Sequence, residues 1–303
     1  MRAHDDVSAE YLIRDADAAM YEAKRQGRAA YHFFSGELTY RASENLQREN
    51  QVRKAAELGE FTFHFQPVVD SRSGELFCFE ALMRWQHPSR GLLYPDDFLT
   101  VMDETGVIGT VIDPLLKQAI AFQQEQYLLR GESVGIAINL SVRLLNDQAF
   151  RQMLLERLIA HDFLPGSLIL EITEDILMQD LVEADVFLRQ LKTLGTRIAI
   201  DDFGTGQASL SHLRQFPFDL LKIDREFIRN VDADSNDASL VKAMIQLSHA
   251  FGIKVVAEGV ETEAQLDFLR QQDCDYIQGY LISVPNHAEH PFQLEEYMPL
   301  FAV

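Results

Sequence analysis

The chain has 303 residues, of which 47% are hydrophobic, and its formal net charge is −20 at neutral pH. This length is enough for one eight-stranded α/β barrel of about 250 residues plus an additional segment. Nucleic-acid polymers and anionic membranes bind basic surfaces, so the charge argues against both as partners. No run approaches about 20 consecutive apolar residues and no signal peptide opens the chain, so we expect a cytoplasmic protein.

The first 59 residues differ in pattern from the rest of the chain. Ser8 can cap a helix that ends near Gly27, and residues 31–34 predict a short strand. A second, more polar helix is predicted from about Gly36 to Leu58. The chain is therefore divided into three regions: an N-terminal segment over residues 1–35, a linker helix over residues 36–59 and a barrel over residues 60–303.

Short apolar runs recur after residue 60 and predict strands that are buried on both faces. Helices are predicted between the strands. One begins at Pro114, with Asp113 as its N-cap, and continues to residue 130. A short one is predicted over residues 207–215. This alternation favours an α/β, TIM-like (β/α)8 barrel over an open sheet. The predicted strands lie at residues 61–69, 76–83, 134–140, 167–172, 196–201, 219–223, 254–258 and 276–282.

The first two predicted strands are joined by residues 70–75 alone. A turn of this length cannot contain a crossover helix, so the first strand is expected to run antiparallel to the rest.

The cysteines Cys78 and Cys274 lie in apolar, strand-like segments. We expect both to be small buried side chains, because the sequence shows neither a disulfide framework nor the spacing of a zinc site.

Polar residues follow the ends of six predicted strands. The active sites of parallel barrels lie at the carboxyl ends of their strands, so these side chains are expected to share one mouth. Oxygen ligands without cysteine or histidine favour a hard divalent cation. The residues concerned are Glu80, Asn139, Glu171, Asp201, Asp202, Lys222 and Glu258.

Asp201 and Asp202 are adjacent at the end of one strand. Consecutive strand residues normally point to opposite faces, but this alternation lapses where the chain enters a glycine-containing loop. Glu80, Asn139, Glu171 and Asp201 can therefore surround one ion, while Asp202 holds a second. Two ions about 3.5–4 Å apart are suited to an in-line phosphoryl displacement.

The same residues resemble the motifs of the EAL domain, the bacterial phosphodiesterase of cyclic di-GMP. Glu80-Ala81-Leu82, followed by Arg84 and Trp85, is similar to the signature that gives the family its name. The resemblance runs from about Phe61 to the C-terminus. The other motifs, in the family's order, are Phe65–Pro67, Asn139–Ser141, Glu171–Glu174, Asp201–Gly206, Lys222–Asp224, Glu258–Glu261 and Gln278–Tyr280.

The resemblance implies a metal-dependent hydrolysis of cyclic di-GMP to linear pGpG in bacterial second-messenger signalling. It implies two Mg²⁺ or Mn²⁺ ions and adds Glu258 to the ligands near the second ion. Lys222 would orient the attacking water and Arg84 would bind a phosphate, although Arg84 could also form a plain surface ion pair. The remaining implied residues are Gln66, Leu82, Glu261 and Gln278 for substrate binding, Glu174 for the loop over residues 204–206, and Asp224 beside Lys222.

Residues 16–28 resemble the closing helix of a GGDEF domain, the diguanylate cyclase module. The Gly-Gly-Asp-Glu-Phe signature itself is absent from the sequence, so no cyclase activity is assigned. This resemblance implies a longer parent protein with upstream GGDEF-like and sensor regions. A membrane tether in that parent and a homodimer both stay open.

Two other functions remain as alternatives. One is a catalytically silent receptor that binds cyclic di-GMP, and the presence of every expected metal ligand and of Lys222 argues against it. The other is an enolase-type barrel, in which a lysine abstracts a proton beside one magnesium ion. The adjacent Asp201 and Asp202, together with Arg84, fit two metals and a phosphodiester better.

Overall fold

The structure is a computed structural model that describes residues 36–164, 166–174, 181–204, 216–231, 236–289, 292 and 297–301. The predicted segment over residues 1–35 and the predicted helix over residues 207–215 lie outside these residues. Within the described residues, no helix combines the length and the apolar character that crossing a membrane requires.

The described strands are β1 (Phe61–Asp70), β2 (Leu76–His87), β3 (Gly91–Leu93), β4 (Gly135–Asn139), β5 (Leu168–Thr173), β6 (Arg197–Phe203), β7 (Leu220–Ile223), β8 (Lys254–Ala257), β9 (Tyr276–Ile277) and β10 (Asn286–His287). The described helices are α1 (Gly36–Leu58), α2 (Pro95–Thr105), α3 (Ile108–Arg130), α4 (Val142–Asn146), α5 (Gln148–Ile159), α6 (Leu181–Thr193), α7 (Arg225–Ile228), α8 (Asn236–Ala250) and α9 (Glu263–Gln271), and a 3₁₀ turn covers Met298–Phe301.

Eight of these strands close into a barrel. From β2 through β4, β5, β6, β7 and β8 to β9 every neighbouring pair is parallel. β1 closes the ring between β2 and β9 and is antiparallel to both. The predicted barrel with an antiparallel first strand is therefore confirmed.

The turn between β1 and β2 is stabilised by its own side chains. The carboxylate of Asp70 accepts hydrogen bonds from the backbone N–H groups of Arg72 and Ser73 at 2.9 and 2.8 Å. Gly74 has a φ of 73°, and a Cβ there would lie 2.7 Å from the ring of Phe301. A glycine is needed at this position for both reasons.

Apolar side chains fill the inside of the barrel below the mouth. They form a cluster separate from the main core, which lies between the strands and the helices. A hypothetical Cβ on Gly135 would lie 2.8 Å from Cβ of Cys78, so there is no room for a side chain at position 135. The members of the inner cluster are Val68, Cys78, Ala137, Ile169, Ala199, Leu220 and Val256.

Three predictions about individual elements were wrong. β3 and β10 were missed, and the last strand ends at Ile277 instead of residue 282. Beyond Ile277 the backbone turns against Val260, whose N–H donates to the carbonyl of Gln278 at 3.0 Å. A Cβ on Gly279 would lie 2.1 Å from the carbonyl oxygen of Val260, so the close approach requires glycine.

α3 begins at Ile108 and contains Pro114 in its interior, so the predicted start at Asp113 and Pro114 was also wrong. The carboxylate of Asp113 does not cap the helix. It forms ion pairs with Arg157 and, at 2.8 Å, with Lys117 one turn further along α3.

Candidate active site

The period-two geometry of the strands brings the predicted site residues together. Side chains two residues apart on a strand point to the same face. Glu80, Asn139, Glu171, Asp201, Lys222 and Glu258 each lie two residues after a member of the inner apolar cluster. These polar side chains therefore stand on the apolar floor of the barrel and point to its mouth.

Lys222 lies at the centre of the group. Its Nζ is 2.7 Å from Oε2 of Glu171 and 2.6 Å from Oε1 of Glu258. It is also 3.4 Å from Oε2 of Glu80 and 3.5 Å from Oδ1 of Asp201. The lysine is 2% exposed, so the four carboxylates surround a single ammonium group that is shielded from water.

Both oxygens of Glu80 accept amide hydrogen bonds. Asn139 Nδ2 donates to Oε1 at 2.8 Å, and Gln278 Nε2 donates to Oε2 at 2.7 Å. Gln278 Nε2 also donates to Oε1 of Gln66 at 3.0 Å, and Gln66 in turn donates to the carbonyl of Ser283. The antiparallel β1 thus contributes Gln66 to the same network as the parallel strands.

The charges of this group are not balanced. Burial and the neighbouring Glu80 raise the pKa of Glu171 well above its ordinary value. Burial raises the pKa of Asp201 and brings that of Glu258 to about 8, although Lys222 opposes both shifts. The shifts indicate that one ammonium cannot neutralise the carboxylates around it.

Two members of the group remain ionised. Burial opposes charge on Glu80, but Lys222 and the amide hydrogen bonds lower its pKa. Burial also opposes charge on Lys222, but Asp201, Glu171 and the other acids raise its pKa well above the ordinary value. The lysine is therefore an ammonium at neutral pH.

The donor set fits hard divalent cations. Buried carboxylates in excess over their ammonium, with an amide beside them, supply oxygen ligands and need additional positive charge. Among the described residues, no three acidic, histidine or cysteine side chains already converge on an ion-sized point. Lys222 Nζ instead lies where the carboxylates converge.

Asp202 occupies an irregular point of the backbone. Its φ is 54°, and the pairing between β6 and β7 shifts between Ile200 and Phe203. Aspartate tolerates this left-handed conformation better than most residues. Burial, Asp201 and Asp224 raise the pKa of Asp202 to about 6, so the negative charges at the mouth also act on this carboxylate.

Arg84 lies two positions beyond Leu82 on the face of β2 that also carries Glu80. It is 5% exposed and its Nη1 donates to the carbonyl of Met83 at 2.8 Å. Among the described residues, Arg84 forms no ion pair with a carboxylate. The guanidinium is therefore buried at the mouth without an acidic partner in the part of the chain that the structure describes.

The remaining predicted residues lie around this centre. Glu174 is buried and accepts a hydrogen bond from the N–H of Gly204 at 3.2 Å, while residues 205 and 206 are outside the described part. Asp224 is not among the acids that contact Lys222; it caps α7 through the N–H of Glu226. Glu261 is exposed, and its N–H donates to Gln265.

Comparison with known proteins identifies the family. The EAL domain family matches residues 49–285, so the chain belongs to this family. The bifunctional diguanylate cyclase/cyclic di-GMP phosphodiesterase MucR of Pseudomonas aeruginosa is 40% identical over 286 residues, which cover 94% of this chain and 42% of MucR. The cyclic di-GMP phosphodiesterase NbdA of the same organism is 37% identical over 282 residues, 93% of this chain and 36% of NbdA.

Solved structures give the same result. The phosphodiesterase of P. aeruginosa MucR in complex with c-di-GMP superimposes with a TM-score of 0.75 at 39% identity, covering 80% of this chain and 98% of that one. The EAL enzyme Bd1971, bound to cAMP and cyclic di-GMP, has a TM-score of 0.78 at 28% identity, with 97% and 76% covered. The chain spans well under half the length of the curated relatives it matches.

Proposed function

We propose that this chain is a metal-dependent phosphodiesterase that opens cyclic di-GMP to linear pGpG in bacterial second-messenger signalling. The observation that carries the proposal is the buried Lys222 among four carboxylates at the carboxyl mouth of the barrel. The names of the relatives MucR and NbdA, both cyclic di-GMP phosphodiesterases, support the substrate and the reaction.

Six residues would hold two divalent cations, Mg²⁺ or Mn²⁺. Their carboxylate and amide oxygens suit these ions, and the raised pKa values of Glu171 and Glu258 fit a centre that needs more positive charge. When bound, the ions would supply Lewis-acid stabilisation of the reacting phosphate. The proposed ligands are Glu80, Asn139, Glu171, Asp201, Asp202 and Glu258.

Lys222 acts as a hydrogen-bond donor and not as the general base. In the metal-free protein its pKa lies well above the ordinary value, so at neutral pH it is an ammonium without a lone pair to accept a proton. An ammonium in this position can orient the attacking water and neutralise the charge that develops on the phosphate. The interaction strengthens as the attack proceeds, so it contributes mainly to kcat.

The groups around the centre bind the dinucleotide. Arg84 donates to a phosphate, because a guanidinium matches phosphate geometry and the described acids leave it unpaired. Gln66 on β1 and Gln278, which directly follows the neighbouring β9, supply amide groups. Leu82 provides an apolar contact beside Arg84. Glu261 accepts hydrogen bonds from the edge of a guanine.

Two acids support these groups without touching the substrate. Glu174 holds the start of the loop after β6 through Gly204. Asp224 caps α7 and adds to the negative field at Asp202.

The parent protein would extend upstream of this chain. MucR, a bifunctional cyclase and phosphodiesterase, is matched over 42% of its length. We therefore propose that residues 1–35 end a GGDEF-like domain, that α1 is the linker helix, and that sensor regions precede both. A cytoplasmic location remains part of this proposal.

The test is hydrolysis of cyclic di-GMP by the purified chain with Mg²⁺ or Mn²⁺, followed by chromatographic separation of the products. We expect pGpG, and chelation of the metal should abolish it. A chain that binds cyclic di-GMP with micromolar or better affinity but yields no pGpG with either metal would instead be the silent receptor.

A further inference from the structure

Arg84 is a buried cation whose surroundings are incomplete. Its Nε is buried and has no hydrogen-bond partner, and its Nη1 bonds only a backbone carbonyl, that of Met83, within the described residues. A buried charge without an acidic partner is costly, and a bound phosphate would supply the negative charge that the described residues do not. The hydrogen bond to Met83 constrains only one edge of the guanidinium, so other contacts contribute to the orientation of its plane.

Tyr94 supplies a ring for this purpose. The Cζ atom of Arg84 lies 4.9 Å from the centroid of the Tyr94 ring, which is a cation–π distance. The antiparallel register of β2 and β3 pairs Trp85 with Leu93, so the next position along brings Tyr94 opposite Arg84. The short strand β3 therefore delivers the ring to the arginine.

The residue type at position 94 is unfavourable for its local structure. Tyr94 is the N-cap of α2, where serine, threonine, aspartate and asparagine are preferred because their side chains accept an N–H hydrogen bond. The side chain of Tyr94 forms no such bond to the described backbone, and the residue is 54% exposed. The side chain of Tyr94 therefore neither caps the helix nor packs in the core, and its ring is in contact with the Arg84 guanidinium.

We propose that Tyr94 is a positioning residue: its ring holds the guanidinium of Arg84 in the orientation that receives a phosphate of the dinucleotide. The inference rests on the proposed function. Tyr94 does not need to touch the substrate, because it acts through Arg84. The neighbouring Trp85 is fixed separately, since its Nε1 donates to Glu60 at 2.8 Å and its ring packs on Phe61 and Phe98.

The experiment compares Tyr94→Ser with Tyr94→Phe in the full chain. Binding of cyclic di-GMP is measured by calorimetry in Ca²⁺, steady-state hydrolysis in Mn²⁺, and stability by thermal unfolding. Serine restores a capping side chain to α2, so the melting temperature should stay level or rise. Affinity should nevertheless fall about 3- to 30-fold, the range of a cation–π contact, with a matching rise in KM and little change in kcat. Phenylalanine keeps the ring and should bind like the parent.

A double-mutant cycle with Arg84→Ala tests whether the effect of Tyr94 on affinity depends on Arg84. If Tyr94 acts through Arg84, adding Tyr94→Ser to Arg84→Ala should cause no further loss of affinity. A further loss of the same size would mean that the ring contacts the dinucleotide directly, and the positioning role would be overturned. Unchanged affinity of Tyr94→Ser, while the parent binds, would also overturn it. A parent that neither binds nor cleaves cyclic di-GMP would instead refute the proposed function, and the inference with it.

Discussion

Replacing Lys222 by methionine tests how the charges of the barrel mouth are balanced. The methionine side chain is similar in length to that of lysine, but it is apolar and carries no charge. In the metal-free protein the change leaves the buried Glu80, Glu171 and Asp201, together with the partly buried Glu258, around an uncharged side chain. Because these acids are in direct or near contact with the ammonium, its loss should destabilise the folded state strongly.

The magnitude follows from the burial. Removing one partner of a buried ion pair typically costs about 3–5 kcal/mol. For a domain of this size, each kcal/mol shifts the melting temperature by about 2–4 °C, so we expect a decrease of about 10 °C in the presence of a chelator. Saturating Mn²⁺ should narrow this difference, because the ions supply positive charge to the same carboxylates.

Lys254→Met is the matched control. Lys254 also forms an ion pair, with Asp275, but its side chain is 61% exposed. Asp275 is only 11% exposed, but it keeps His249 and the N–H of Val255 as partners when Lys254 is replaced, so this variant should lose far less stability than Lys222→Met and melt within about 3 °C of the parent with or without metal.

The assay is thermal unfolding of both variants and the parent, with chelator and with excess Mn²⁺. Equal melting temperatures for Lys222→Met and the parent in chelator would refute the charge balance derived from the structure. In hydrolysis, Lys222→Met should lose about 10²–10³-fold in kcat with little change in KM, the size of a lost transition-state donor. A loss of affinity with kcat retained would show that Lys222 binds substrate and does not orient water.

Three further predictions concern the metals and the far side of the barrel. Asp201→Ala should abolish hydrolysis with the fold retained, whereas Asp202→Ala should mainly weaken the second ion; turnover by a folded Asp201→Ala protein would contradict the two-metal proposal. Calcium prefers longer bonds and more ligands than magnesium, so it should permit binding of cyclic di-GMP in calorimetry but not its cleavage, and equal rates with both ions would contradict this. Burial opposes charge on Asp275, but hydrogen bonds, foremost from Lys254, lower its pKa. Its ionisation therefore stabilises the fold above the unfolded value near about 4 and ceases to do so as the pH falls through the folded pKa. Denaturant unfolding should show Asp275→Asn less stable than the parent at pH 7, with a smaller difference at pH 3; a difference that grows at pH 3 would reverse the sign.

The sequence by itself determined that the chain forms a barrel and which polar residues lie at its mouth. Apolar runs that end in polar residues are local patterns, and the period of two fixes which residues share a face. Glu80 therefore follows Cys78 on the inner face of β2, as Asp201 follows Ala199 on β6, in the sequence and in the structure alike. The antiparallel direction of β1 also followed from a local feature, because the six residues that connect the first two predicted strands cannot contain a crossover helix.

Only the tertiary structure decided how these groups pair. The convergence of the carboxylates on Lys222 Nζ depends on distances between strands that are up to about 180 residues apart in the chain, and strand-end patterns carry no such distances. Asp113 illustrates the same limit. Its position before a proline is typical of a helix start, but its carboxylate forms ion pairs with Arg157 and Lys117, and α3 begins earlier in the chain.

The same reason explains β3 and Tyr94. Three residues with one exposed glycine give no strand pattern, and β3 forms because β2 extends beyond the barrel and offers it a free edge. The contact between Tyr94 and Arg84 then follows from the register of that pairing, which no local pattern encodes.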